Sequence, residues 1–156
     1  MVLSGASSQL SGLGDLMHMP APKAIALRTT GATYPGSPEQ VGAVRADLRG
    51  LVDGCPMADD VILCASEMAA NAALHSGSRL PGGQFTVRAE IHPSDYIWIE
   101  VEDNGGPWLE AAPDPSRGHG LDIIRALASD WGVEGDYITR VVWVRFDWDA
   151  GVISLT

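Results

Sequence analysis

Glu67, Asn71 and His75 recur at four-residue intervals, and on a helix advancing about 100° per residue that spacing lines them along one slowly drifting strip. The strip is either a solvated polar face or one wall of a site. Ala69, Ala70, Ala72 and Ala73 leave little bulk around it, so a large group can lie against the helix. Asp103 is a sharper anomaly. Strand parity puts it on the same face as Ile97, Ile99 and Val101, the face assigned to the core. A buried carboxylate needs a donor. No basic residue lies close in sequence, so a bound donor such as a nucleobase amine would satisfy it; alternatively the strand ends one residue earlier and Asp103-Asn104-Gly105-Gly106 turns in water. Gly105 and Gly106 permit close backbone approach to a ligand, and Arg117-Gly118-His119-Gly120 directly precedes a helix whose first amides can hold phosphate. The fuller GxGxxG and GxxxxGK[ST] patterns are absent, His75 and His119 form no recognisable metal spacing, and there is no nucleophile elbow.

The elements that must position these residues can be read from periodicity. Ala24 to Arg28 is a short apolar run expected to be a strand. Ser37-Pro38-Glu39-Gln40 has capping-box spacing with proline at the first helical position, and Val41, Val44, Leu48 and Leu51 form an amphipathic stripe closed by Gly54 and Pro56. A second helix is expected to begin near Ala58 or Asp59 and run to about His75, with Val61, Ala65, Met68 and Ala72 facing the core. Phe85 to Ile91 and Ile97 to Glu102 alternate as half-buried strands and read as an antiparallel hairpin. Asn104 to Gly120 is long, irregular and rich in Gly and Pro, a candidate lid. Leu121, Ile124, Leu127 and Ala128 mark a third helix; Val133 and the run from Thr139 to Trp148 give closing strands, with Val142, Val144, Phe146 and Trp148 on one side.

The chain has 156 residues with a formal charge of -10. That size suits one core, and the acidity opposes binding to nucleic acid. No apolar run is long enough to span a bilayer and no secretory signal is recognisable, so a soluble cytoplasmic protein with no membrane association is expected. Cys55 and Cys64 lack paired spacing and read as small apolar fillers. Residues 1–23, including Met17 and Met19, read as a disordered tail, 24–150 as one domain and 151–156 as a C-terminal tail.

Three ordered blocks stand together: Glu67-x-x-x-Asn71-Ala72-x-x-His75, Asp103-x-Gly105-x-Pro107 and Gly118-x-Gly120-Leu121. This set resembles the N, G1 and G2 boxes of the gyrase, heat-shock chaperone, histidine-kinase and MutL ATPase superfamily. It is most similar to the small single-domain branch of anti-sigma-factor serine kinases and actinobacterial ATP-binding regulators. Asp60-Val61-Ile62-Leu63, Leu127 to Val133 and Val142-Trp143 extend the similarity over roughly Ala24 to Trp148. The resemblance implies a Bergerat-type α/β two-layer sandwich, a mixed, largely antiparallel sheet with helices on one face.

By that resemblance Asp103 would accept a hydrogen bond from the adenine amine, Asn71 would bind a magnesium ion on the ATP phosphates, and Glu67 would be the general base. Gly105, Gly118, Gly120 and Leu121 would frame the nucleotide, Thr139 would lie near the adenine, and His75 and Arg117 would neighbour the phosphates. The implied activity is an ATP-dependent serine/threonine protein kinase acting as an anti-sigma factor or similar switch. It would phosphorylate a small anti-sigma-factor antagonist, exchange it for a sigma factor, and could form a homodimer. The alternative is a non-catalytic ATP-sensing module regulating a protein partner. The candidate lid departs from the pattern, since Pro107, Trp108, Pro113 and Pro115 leave Arg117 as its one evident cation. No histidine-bearing dimerisation helices precede the domain, so a complete two-component histidine kinase is not expected.

Overall fold

The computed structural model describes residues 28–92, 95–106 and 120–148. Both terminal tails, most of the candidate lid, Arg117 and Gly118 lie outside the described residues, as does most of the short strand expected at Ala24 to Arg28.

Strand β1 spans Arg28–Pro35, followed by helices α1 (Gln40–Val52) and α2 (Ala58–His75) and a short 3-10 turn at Gly77–Arg79. Strands β2 (Gln84–His92) and β3 (Tyr96–Asp103), helix α3 (Gly120–Leu127) and strands β4 (Asp130–Gly135) and β5 (Arg140–Asp147) complete the order. The five strands form one sheet in the order β1-β2-β3-β5-β4. Each neighbouring pair is antiparallel, so the expected antiparallel character holds throughout the described strands.

Alternation decides which face meets the helices. Phe85, Val87, Ala89 and Ile91 from β2, Ile97, Ile99 and Val101 from β3, and Val142, Val144 and Phe146 from β5 are all buried. They meet Val44, Leu48 and Val52 of α1, Val61, Ala65, Met68 and Ala72 of α2, and Ile124 of α3 in one core. The alanines of α2 serve this packing: Ala69, Ala72 and Ala73 are buried against the core. Their small size lets the helix approach the sheet, while Ala70 stays half-buried beside Glu67 and Asn71.

Helix α1 begins later than the capping-box reading implies. The amides of Gln40 and Val41 bond the carbonyls of Ser37 and Pro38 at 3.1 and 3.2 Å, and no side chain caps the helix. Strand β1 carries almost no apolar alternation because it is an edge; Tyr34 is its one buried residue. Tyr34 stacks on Phe85 and donates its hydroxyl to Asp47 of α1. On the opposite sheet face, Trp98 and Trp143 stack with ring centroids 4.3 Å apart. Cys55 and Cys64 are both free thiols, half-buried and buried. Among the described residues no helix is long and apolar enough to cross a membrane.

Candidate functional site

Asp103 occupies the last position of β3 and continues its buried series. The register places it directly across from Arg140, the first residue of β5. Both are buried, at 3% and 7% exposure. Arg140 donates to Asp103 Oδ2 from Nε at 3.1 Å and from a terminal guanidinium nitrogen at 2.7 Å. Burial pushes the Asp103 carboxyl above the ordinary aspartate range, and the hydrogen bonds and charge of Arg140 oppose that push. The expected strand parity is correct, and the buried carboxylate already has protein donors. Its partner comes from 37 residues away in sequence, beyond the neighbours along β3. The signal was available: counting back from Phe146, Val144 and Val142 in steps of two puts Arg140 on the core face as well.

The chain leaving β3 is fixed by backbone contacts. Gly105 donates its amide to Asp103 Oδ1 at 2.8 Å and turns at φ +64°. Its carbonyl accepts from the Gly77 amide, and the Gly106 amide donates to the Tyr137 carbonyl, each at 2.9 Å. A Cβ on Gly105 would stand 2.6 Å from the Tyr137 carbonyl and 2.7 Å from the Asp136 oxygen. Only glycine fits both the backbone angle and this approach.

Ser78, which the sequence did not single out, ties the same corner together. Its hydroxyl donates to the Gln84 carbonyl at 2.7 Å and accepts from the Asn104 amide at 2.9 Å, while its amide donates to Ser76 Oγ. Ser76 in turn donates to the Ala72 carbonyl at 2.6 Å. The end of α2, the start of β2 and the exit of β3 are thus joined through two buried hydroxyls, with His75 half-buried at the last residue of the helix.

Glu67 and Asn71 are half-buried one turn apart on α2. Glu67 meets the first residue of α3: a Cβ on Gly120 would lie 2.8 Å from Glu67 Oε2. Leu121 packs against the core as a partly buried residue. Thr139 is exposed in the β4–β5 hairpin, where its amide donates to Asp136 Oδ1 at 3.0 Å; the adjoining core-face position belongs to Arg140. A cavity of about 320 Å³ opens beside this hairpin, lined by Gly106, Val133, Glu134, Gly135, Asp136, Tyr137 and Arg140.

Among the described residues no group of three His, Cys, Asp or Glu side chains forms a metal cage. Magnesium does not require one, because phosphate oxygens and water supply most of its octahedral shell. The half-buried amide of Asn71 fits a single protein contact of that kind.

The fold and these boxes define a class. Residues 34–146 match the model of the histidine kinase-like ATPase domain, and the chain belongs to that family. Among solved structures, it is similar to the RsbU and RsbW domains of Rv1364c from Mycobacterium tuberculosis, with 18% identity and a TM-score of 0.58 over 76% of this chain. The match spans 32% of that protein's chain. A histidine kinase domain from the Erythrobacter litoralis EL346 blue-light activated histidine kinase matches with 20% identity and a TM-score of 0.46, over 90% of this chain and 81% of the other. No curated protein sequence matches.

Proposed function

We propose that this chain is an ATP-dependent serine/threonine protein kinase that acts as a regulatory switch. Its substrate on this reading is a small anti-sigma-factor antagonist, and the partner exchanged for it is a sigma factor. The observation that carries the reading is the meeting of Glu67 with Gly120, which joins the helix bearing the candidate base to the glycine-rich start of α3 within a histidine kinase-like ATPase domain. Membership of the family supports ATP as the nucleotide; a cytoplasmic setting goes with such a role.

In this mechanism Glu67 accepts the proton of the attacking serine or threonine hydroxyl as the phosphoryl group moves. Asn71 would hold magnesium, which would supply neutralisation of phosphate charge. Gly105, Gly118, Gly120 and Leu121 border the nucleotide, with His75, Arg117 and Thr139 as its outer neighbours. Asp103, held by Arg140 at the end of the sheet, accepts a hydrogen bond from the adenine amine on this reading.

The test is transfer of labelled γ-phosphate to a serine-bearing antagonist, with calorimetric titration of ATP and magnesium in parallel. Wild type is expected to bind and to transfer; Glu67→Gln is expected to bind with little change and to lose transfer by about a hundredfold or more. Full transfer by Glu67→Gln would remove the assigned base. Binding by wild type with no phosphate on any antagonist would favour a nucleotide-sensing module, and no binding would overturn both readings.

A further inference from the structure

Asp103 Oδ2 accepts twice from Arg140, which occupies both of its lone pairs. Oδ1 accepts once among the described residues, from the Gly105 amide at 2.8 Å. A carboxylate offers about four acceptor positions, two on each oxygen, so the open one lies on Oδ1. The Gly105 amide sets the direction in which it points.

That amide is itself held from outside β3. The peptide units on either side of it are both fixed by the turn that follows α2. The Asp103–Asn104 unit donates its N–H to Ser78 Oγ at 2.9 Å, and the carbonyl of the Gly105–Gly106 unit accepts from the Gly77 amide, also at 2.9 Å. Ser78 has no freedom to follow a moving partner. It is 1% exposed, its amide donates to Ser76 Oγ at 3.0 Å, and its hydroxyl donates to the Gln84 carbonyl at 2.7 Å. With that proton committed, the hydroxyl has only lone pairs to offer Asn104. Its carbonyl is enclosed by two glycines, because a Cβ on Gly36 or on Gly83 would overlap that oxygen. One buried side chain therefore links the end of β3 to the start of β2, with its backbone gripped from the end of β1.

We infer that Ser78 is a positioning residue for base recognition: by holding the Asn104 amide it aims the open acceptor of Asp103, and so sets how strongly the site prefers a base that carries a 6-amino group. The inference rests on the proposed reading in which Asp103 accepts from the adenine amine, and it concerns what aims that acceptor. Without the hydroxyl, the Asn104 amide and the Gln84 carbonyl each lose a buried partner, and the peptide after Asp103 is free to rotate. The carboxylate stays, but its free lone pair is no longer directed.

Inosine triphosphate isolates the point, because it carries a carbonyl where ATP has the 6-amino group. Both nucleotides, each with magnesium, are titrated into the full chain and into Ser78→Ala. If the alanine variant does not fold, Ser78→Cys takes its place, filling similar space with a weak acceptor. Wild type is expected to prefer ATP, and the variant to lose that preference by about threefold or more, with faster hydrogen exchange at the Asn104 amide. A purely structural role would weaken both nucleotides by one factor, so an unchanged ratio in the folded variant overturns the inference and leaves the nucleotide site standing. Equal binding of the two nucleotides by wild type overturns the assigned role of Asp103 and the inference with it. Failure of wild type to bind either nucleotide overturns the nucleotide reading itself.

Discussion

Replacing Arg140 by methionine while leaving Asp103 in place keeps side-chain bulk but removes two hydrogen bonds, at 3.1 and 2.7 Å, from a carboxylate whose side chain is 2% exposed. Only the Gly105 amide then remains as its donor among the described residues. Stranding one member of a buried ion pair costs about 3–5 kcal/mol. At a urea slope of about 2 kcal/mol/M, the unfolding midpoint falls by roughly 2 M. Asp103→Asn removes the carboxylate's charge from the pair and is expected to be destabilising as well. The double variant Asp103→Asn, Arg140→Met removes both charges and should recover about 2 kcal/mol or more relative to the sum of the singles. The assay is urea unfolding followed by tryptophan fluorescence for all four proteins.

The pH dependence of Arg140→Met carries a second check. Burial already raises the Asp103 carboxyl, and Arg140 opposes that rise. Without Arg140 the folded-state value moves further above the unfolded one. The folded protein then favours the protonated acid, so stability is retained at acidic pH and lost as pH rises through the folded-state value. The deficit of Arg140→Met relative to wild type should be largest at neutral pH and narrow on acidification. Single variants that each cost less than about 1 kcal/mol, or losses that simply add in the double variant, would refute the buried-pair argument.

Three further outcomes are expected. Gly105→Ala must accommodate φ +64° and a Cβ 2.6 Å from backbone, so it should cost about 2–4 kcal/mol in thermal or urea unfolding; Gly82→Ala, at φ +77° with nothing within 4 Å, should cost only about 1 kcal/mol. Burial pushes the Cys64 thiol up to about 12, so in a folded sample a disulfide reagent at mildly alkaline pH should titrate the half-buried Cys55 first and reach Cys64 only on unfolding. The Trp98–Trp143 stack at 4.3 Å should give an exciton couplet in the circular dichroism spectrum, and Trp143→Phe should abolish it without large loss of helix signal.

Long elements with one clean period were legible. A start near Ala58 or Asp59 and an end at about His75 agree with the observed helix Ala58–His75, because its core stripe repeats over most of the length. The parity of β3 correctly carried Asp103 into the core. Strand β1 was missed beyond Arg28 because an edge strand that buries only Tyr34 has no alternating pattern to read. Ala69, Ala72 and Ala73 of α2 pack into the core while Ala70 stays half-buried, and a small residue in the sequence shows that something can approach without showing what. Arg140 escaped notice for a related reason. A charge in an otherwise apolar strand gains its meaning from the residue opposite, and the register that pairs it with Asp103 is a property of the sheet, not of either strand. Ser78 was invisible for the same cause, its partners lying on three separate segments.

The amide and carbonyl contacts at the β3 exit have a mechanical consequence. Gly77 at the foot of α2 is tethered to Gly105, and the next residue, Gly106, is tethered to Tyr137 in the β4–β5 hairpin. These links work in series, like two hinges on one short strut. A ligand that lifts the hairpin by pressing on Tyr137 must stretch the strut or move its far end, and the far end is the helix that carries Glu67 and Asn71. Filling the pocket at one edge of the sheet is in this way felt as a load on the helix across the site.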